Sequence, residues 1–327
     1  MFKICGIITA GVKTTFIPQG KKSPSKIVNL ISIVLSFHKL YNVQKFYSGS
    51  RKMTPQETLN SARKIVIKIG SNTLAKKDGT INVEFMESFA LECAALAKQG
   101  KQLILVSSGA QVAGLSTIEG WAHKGDIHYR QALAAIGQVE LMHKWRCAFK
   151  KAQIHVAQLL LTKDDFEDKH RTLNIRNTMF TLVDENVIPI INENDSIATD
   201  EFFIGDNDNL SALTANLWSA DLLVLFSDID GIYTDNPKTN PDAKLVEVVD
   251  NIDELKKSIK IGSTNAFGTG GIATKIEAAE KTTKCGIPMI LANGGKENAL
   301  THLADGTQKA TVFTADDKAL FHAIMGS

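Results

Sequence analysis

KIVIKIGSN, residues 64–72, decides the fold class of this 327-residue chain. Its first six residues are rich in β-branched side chains, as in a buried strand, and Gly-Ser-Asn ends the run. Comparable apolar runs lie at 102–106 (QLILV), 187–191 (VIPII) and 222–226 (LLVLF). Segments with helical spacing, such as Val83–Gln99, separate these runs. The alternation predicts an α/β fold with a mainly parallel central sheet covered by helices on both faces.

The same patterns predict the remaining elements. Further strands are expected at His155–Leu161 and Met289–Leu291, and further helices at Tyr129–Lys151, Thr172–Asn186, Asn209–Ala220 and Ile272–Cys285.

Small, hydroxyl, amide and acidic residues follow the predicted strands. They are Gly70-Ser71-Asn72, Ser107-Ser108-Gly109, Asn192–Asp195, Ser227-Asp228 and Asn293-Gly294-Gly295. The carboxyl ends of parallel strands share one edge of the sheet, and ligands of such sheets bind there. The sequence therefore predicts a binding site at this edge, with Asp195 and Asp228 among its acidic residues.

The formal net charge of +2 combines two unlike parts of the chain. Residues 1–56 hold nine Lys or Arg and no Asp or Glu, whereas the rest holds 28 basic and 35 acidic residues. The basic stretch is typical of an organellar transit peptide, a disordered leader, or sequence upstream of a true start at Met53. Nucleic-acid binding would rest on this stretch alone. No apolar run approaches the roughly 18–20 residues of a membrane span.

A lysine and a glycine-rich loop carry the strongest signals for phosphate. Lys68 lies near the end of a buried strand, where a charge is costly without an anionic partner; the alternative is a lysine that reaches solvent from a strand edge. In residues 267–275 (FGTGGIATK), glycines and hydroxyls lead into a helix that holds Lys275, as a phosphate cradle requires. The loop matches neither a Walker A box nor G-x-G-x-x-G, and its alternative is a flexible surface loop.

Other polar residues could position these cations. Residues 205–209 (GDNDN) could bind Mg²⁺, orient two lysines, or simply cap the helix that follows. Ser107–Ala110 could form an anion site at a helix start or a simple turn. No histidine pattern and no G-x-S-x-G marks an activated nucleophile, so direct phosphoryl transfer is the consistent chemistry.

Seven blocks, taken in order, resemble the amino acid kinase family, and within it the enzymes that phosphorylate glutamate. They are KIGSN (68–72), SSGA (107–110), LLLTKDDFEDKHRTLNIRNT (159–178), PIINENDSIAT (189–199), GDNDNLSA (205–212), SDIDGIYTDNP (227–237) and GTGGIATK (268–275). The resemblance implies a three-layer α/β/α sandwich over residues 63–327, and the basic composition before it predicts a disordered or targeting leader of residues 1–62. It also implies ATP-dependent phosphorylation of the L-glutamate γ-carboxylate to γ-glutamyl phosphate, the first step of L-proline biosynthesis.

The resemblance also assigns roles to single residues. Lys68 and Lys275 would stabilise charge on the moving phosphoryl group, and Asp208 would orient both lysines. Glutamate would be bound by Ser108, Asp195 and Asn207. The nucleotide would be framed by a wider set, namely Lys68, Ser227, Asp228, Thr269, Gly270, Gly271, Ile272, Ala273, Thr274 and Lys275.

The expected partners follow from the same resemblance. Mg²⁺ would arrive with ATP, and no residue is predicted as a metal ligand. We expect a homo-oligomer, inhibition by proline, coupling to a separate glutamyl-phosphate reductase, no C-terminal PUA domain, and no nucleic-acid or membrane partner. The expected location is the cytoplasm, or the mitochondrion if residues 1–56 are a transit peptide. The alternatives are a kinase of this fold with another acceptor and a catalytically silent small-molecule sensor.

Overall fold

An eight-stranded sheet organises the part of the chain that the structure, a computed structural model, describes: residues 52–118, 126–198, 207–237, 239–258 and 271–315. Its strands are β1 Lys64–Ile69, β2 Gln102–Ser107, β3 His155–Leu161, β4 Val187–Glu193, β5 Leu222–Ser227, β8 Val248–Val249, β9 Met289–Asn293 and β10 Ala310–Phe313. Two short strands, β6 Ile232–Tyr233 and β7 Leu245–Val246, form a separate ribbon.

The strand order is β3-β4-β2-β1-β5-β9-β10-β8. The first six strands of this order run parallel, and β10 runs antiparallel to β9. On one side of β1 lie β2, β4 and β3, in that order, and the chain then crosses to place β5 on the other side. This reversal beside β1 is the kind of switch point at which parallel sheets bind ligands.

Helices cover both faces of the sheet. In chain order they are α1 Pro55–Ser61, α2 Ser71–Leu74, α3 Val83–Lys98, α4 Ala110–Thr117, α5 Ile127–Lys151, α6 Lys163–Glu167, α7 Lys169–Asp184, α8 Asn207–Trp218, α9 Ile252–Ser258, α10 Ile272–Thr283 and α11 Ala299–Asp305. One apolar core joins the sheet to α1, α3, α4, α5 and α11, and a second joins it to α7, α8, α9 and α10. The predicted three-layer α/β/α sandwich is confirmed.

The predicted strands and helices are present, and most differences lie at their ends. Helix α8 begins at Asn207 rather than Asn209, so Asn207 and Asp208 belong to its first turn. Strand β4 extends to Glu193, which places Asn192 inside the strand. Within the described ranges, no helix combines the length and apolar character that crossing a bilayer requires.

Helix α1 lies in the stretch expected to be leader. A capping box between Thr54 and Glu57 starts it, and Leu59 is fully buried in the first core. Asn60 Nδ2 donates to Ala304 O at the end of α11, at 2.9 Å. These residues therefore pack as part of the α/β domain, and the folded part of the chain extends further toward the N-terminus than residue 63. Residues 1–51 lie outside the described residues.

Candidate active site

Strand alternation aims Lys68 at one particular face of the sheet. Ile65, Ile67 and Ile69 pack into the first core, whereas Val66 packs into the second. Lys68 shares the face of Val66 because side chains alternate along a strand. That face is covered by α8 and α10, so the lysine is buried beneath the two helices that carry Asp208 and Lys275.

Two lysines contact the two oxygens of one carboxylate, one lysine on each oxygen. Lys68 Nζ lies 2.5 Å from Asp208 Oδ1, and Lys275 Nζ lies 3.2 Å from Asp208 Oδ2. The exposed fractions of the Lys68, Asp208 and Lys275 side chains are 9%, 1% and 6%. Thr274 Oγ1 adds a contact to Asp208 Oδ2 at 3.1 Å. One negative charge between two positive ones leaves a net positive cluster, which favours an anionic ligand.

Helix ends bring these groups together. Asp208 lies in the first turn of α8 and Lys275 in the first turn of α10. Gly271, the N-cap of α10, offers no side chain to the backbone N–H groups of that turn. Unpaired N–H groups at a helix start add to the positive potential felt by an anion. The predicted cluster of Lys68, Asp208 and Lys275 is thus brought together in the structure.

Strand register places further predicted residues at the same edge. Ile69 of β1 pairs with Ser107 of β2 on one side and with Phe226 of β5 on the other. Ser108 and Ser227 therefore follow at the same level. A pocket with about 470 Å³ of empty space, its open mouth included, lies here. It is lined by Lys68, Gly70, Ser71, Asn72, Thr73, Ser108, Asp208, Ser227, Asp228 and Lys275.

A hydrogen bond joins two of the three predicted glutamate ligands, Asn207 and Ser108. Asn207 Nδ2 donates to Ser108 Oγ at 2.7 Å and to Asn192 Oδ1 at 2.9 Å. Asn207 Oδ1 is buried and has no hydrogen-bond partner within the described residues. A buried acceptor without a hydrogen-bond partner destabilises the folded protein. A ligand N–H that donates to this acceptor removes that cost. Asn207 is therefore suited to bind a donor group.

Asp195, the third predicted glutamate ligand, lies two residues beyond the end of β4. Burial raises the pKa of its carboxyl to about 6. No contact joins it to Ser108 or Asn207 in the part of the chain that is described. A partly buried carboxylate would gain from a ligand ammonium.

The nucleotide side is described in part. Ser227 Oγ donates to Asp228 Oδ1 at 2.9 Å, and Asn293 Nδ2 contacts Asp228 O at 3.4 Å. Gly271, Ile272, Ala273 and Thr274 form the start of α10. Thr269 and Gly270 lie outside the described residues.

Asn192 and Gln138 were missed as site residues by sequence reasoning. Asn192 Nδ2 donates to Gln138 Oε1 at 2.8 Å, and both residues are buried. Asn192 was visible as an amide at a strand end. Gln138 was visible as a polar residue on the buried face of α5, between Ala134 and Leu141. A buried amide has to find hydrogen-bond partners, and this was the available signal.

Known proteins resemble this chain in sequence and in fold. Residues 63–293 match the model of the Amino acid kinase family. A protein named Glutamate 5-kinase from Alkaliphilus metalliredigens is 60% identical over 260 residues, which cover 80% of this chain and 98% of that protein. A protein of the same name from Treponema pallidum is 44% identical over 285 residues, covering 77% of this chain and 96% of that protein.

Solved structures share the fold at low sequence identity. UMP kinase from Ureaplasma parvum superposes with a TM-score of 0.55 at 18% identity, covering 77% of this chain and 98% of that chain. An isopentenyl phosphate kinase superposes with a TM-score of 0.52 at 18% identity, covering 77% of this chain and 100% of that chain.

Proposed function

This chain belongs to the amino acid kinase family, and from that premise we propose that the Lys68–Asp208–Lys275 cluster is its phosphoryl-transfer site. The reaction is the ATP-dependent phosphorylation of the L-glutamate γ-carboxylate, which gives γ-glutamyl phosphate and begins L-proline biosynthesis. The observation that carries the site assignment is one buried carboxylate held between two buried lysines at the carboxyl edge of the sheet.

The chemistry explains why charge placement is sufficient. A glutamate γ-carboxylate is ionised at neutral pH, so its oxygen can attack the γ-phosphorus of ATP without a general base. One O–P bond forms as the bond to the β-phosphate oxygen breaks, and ADP leaves with its negative charge. Lys68 and Lys275 would balance the charge on the transferring group and on the phosphates, and Asp208 would keep both lysines in place.

The substrates would lie on two sides of this cluster. Ser108, Asn207 and Asp195 would bind glutamate, with Asp195 facing the α-ammonium. Ser227, Asp228 and the segment 269–275 would frame ATP. Ser108 and Ser227 follow strands β2 and β5 at the level of the edge to which β1 presents Lys68, and this common level supports the arrangement.

Mg²⁺ would be carried by ATP, whose β- and γ-phosphate charge it neutralises. Both oxygens of Asp208 already contact lysine ammonium groups, and one oxygen of Asp228 accepts from Ser227. Among the described residues, no group of three or more His, Cys, Asp or Glu could hold a metal ion. Phosphate oxygens would supply ligands to the metal.

Three further proposals follow from the family resemblance. The protein would form homo-oligomers, proline would inhibit it, and a separate reductase would consume the unstable acyl phosphate.

A coupled ADP-release assay tests the proposed function. Purified protein should release ADP with L-glutamate, and hydroxylamine should trap the acyl phosphate as a hydroxamate. Aspartate, N-acetylglutamate and UMP serve as competing acceptors in parallel reactions. Turnover with one of these and none with glutamate would assign the chain to another acceptor, and no turnover with any would favour the silent sensor.

A further inference from the structure

A chain of buried carboxamides links helix α5 to the proposed glutamate subsite. Gln138 Oε1 accepts from Asn192 Nδ2 at 2.8 Å, and Asn192 Oδ1 accepts from Asn207 Nδ2 at 2.9 Å. Asn207 Nδ2 donates in turn to Ser108 Oγ at 2.7 Å. Every amide in the chain has one donor end and one acceptor end, so the orientation of one fixes the orientation of the next.

A backbone group sets the direction of every hydrogen bond in this row of amides. The N–H of Glu193 can only donate, and it donates to Asn192 Oδ1 at 2.9 Å. Asn192 must therefore present Nδ2 to Gln138, and Asn207 must offer its own Nδ2 to Asn192. A flipped amide at either position would set two acceptors or two donors against each other, so one orientation satisfies the chain.

This polarity decides what the subsite offers a ligand. Asn207 Oδ1 is left as a buried acceptor with no partner within the described residues. Ser108 Oγ accepts from Asn207 and therefore keeps its own hydroxyl proton for a ligand. Glutamate at neutral pH has a single donor group, the α-ammonium, and two carboxylates that only accept. The free acceptor thus matches the ammonium and the free hydroxyl matches a carboxylate.

We propose that Gln138 is a positioning residue for the glutamate subsite, since it holds Asn192 in the orientation that turns Asn207 Oδ1 toward the α-ammonium. The inference rests on the proposed function. Gln138 acts through its acceptor oxygen alone, because its buried Nε2 meets no acceptor in the described part of the chain. The neighbouring Gly137 lets α5 pack closely against α4, because a Cβ at position 137 would lie 1.8 Å from Ala110 O.

Three variants separate the acceptor oxygen from simple packing. Gln138→Met keeps the size of the side chain and removes the acceptor. Gln138→Glu keeps an accepting oxygen in either protonation state and replaces the unused Nε2 with a second carboxyl oxygen. Gln308→Met is the matched control, because Gln308 is equally buried, at 8% exposed, and donates to Asn293 O at 3.1 Å.

We expect Gln138→Met to change the kinetic constants for glutamate and to leave those for ATP nearly unchanged. Leaving the Asn192 donor unpaired should raise KM for L-glutamate about ten-fold in Gln138→Met, with KM for ATP and kcat changed by less than about two-fold. Gln138→Glu and Gln308→Met should stay within about three-fold of wild type. Glutarate lacks the ammonium, so its inhibition constant as a competitor should change less than about two-fold in Gln138→Met.

Several outcomes would overturn the positioning role. They are an unchanged KM for glutamate in Gln138→Met, an equal loss for glutarate, or a Gln138→Glu variant as poor as Gln138→Met. If Gln138→Met does not fold, Asn192→Ala breaks the same chain one step nearer the site and should show the same split. A wild-type protein without glutamate-dependent ADP release would refute the proposed function, whereas an active wild type with normal variants would refute the positioning role alone.

Discussion

Replacing Asp208 by Asn removes the negative charge that holds Lys68 and Lys275 together. The variant keeps the size of the side chain, but it removes the negative charge and replaces one accepting oxygen with an NH₂ donor. Two ammonium groups would then lie close to each other in a site where the lysine side chains are 9% and 6% exposed. We expect a large loss of stability and, because the lysines separate, a loss of kcat on the order of 10²–10³-fold.

The size of the stability loss can be worked from the burial of the pair. Breaking a buried ion pair by removing one partner costs about 3–5 kcal/mol, because the remaining charge loses its compensation. For a domain of this size, each kcal/mol lowers Tm by roughly 2 °C, so we expect a decrease of roughly 6–10 °C. ATP should recover more stability in Asp208→Asn than in wild type, since its phosphates replace the missing negative charge.

Glu280 provides a control with the same connectivity but a different environment. Its carboxylate also lies between two lysines, Lys256 and Lys284, each at 2.6 Å, and these hydrogen bonds lower its pKa to about 2. Solvent screens this pair of contacts, so Glu280→Gln should cost no more than about 1 kcal/mol. Thermal unfolding by circular dichroism, with and without ATP, measures both variants. Equal Tm decreases for the two variants, or a decrease below about 2 °C for Asp208→Asn, would refute the role of burial.

Four further variants test the site and its support. Lys68→Ala and Lys275→Ala should each reduce kcat on the order of 10²–10³-fold in the ADP-release assay, and near-normal turnover in either purified variant would refute its role. Burial raises the pKa of Asp195 to about 6, so ionisation destabilises the ligand-free protein as pH rises toward and through 6. Asp195→Asn should therefore raise Tm at pH 8 while it weakens glutamate binding, and KM for glutamate in wild type should increase as pH falls below about 6; a pH-independent KM would contradict this. Gly137→Ala should destabilise the protein by about 1–3 kcal/mol in urea unfolding, since its Cβ would overlap Ala110 O, and an unchanged midpoint would show that α4 and α5 can separate.

The sequence was sufficient for the sheet because its strands are apolar runs long enough to show a pattern. Strand β1 lies at the predicted residues, Lys64–Ile69, and its lysine has the anionic partner that burial demands. The antiparallel β10 was missed, since its four residues, Ala310–Phe313, are too few to reveal a period. Helix α1 was missed for a different reason. The capping box at Thr54–Glu57 is a local helix-start pattern, but the basic composition of the residues before it is equally typical of a leader.

The residues of the candidate site also differ in whether a local sequence pattern can reveal them. Lys68 and the glycine-rich approach to Lys275 are local patterns with a clear physical meaning. The choice of Asp208 as their shared partner came from the family resemblance. Gln138 and Asn192 are 54 residues apart, and no periodicity joins an amide on a helix to an amide on a strand. Such pairs become visible only when the sheet sets the end of β4 beside α5.

The first turn of α8 explains how one site can align two substrates. Asn207 and Asp208 are consecutive, and side chains one residue apart on a helix point about 100° apart. Asn207 therefore reaches the amide chain and Ser108, while Asp208 reaches Lys68 and Lys275. A small rotation of α8 would misplace the proposed glutamate ligand and the proposed phosphate-binding lysines together. In the proposed function, tight packing of this helix through Ala212, Ala215 and Trp218, all fully buried, would be a requirement of in-line transfer between two substrates as well as of stability.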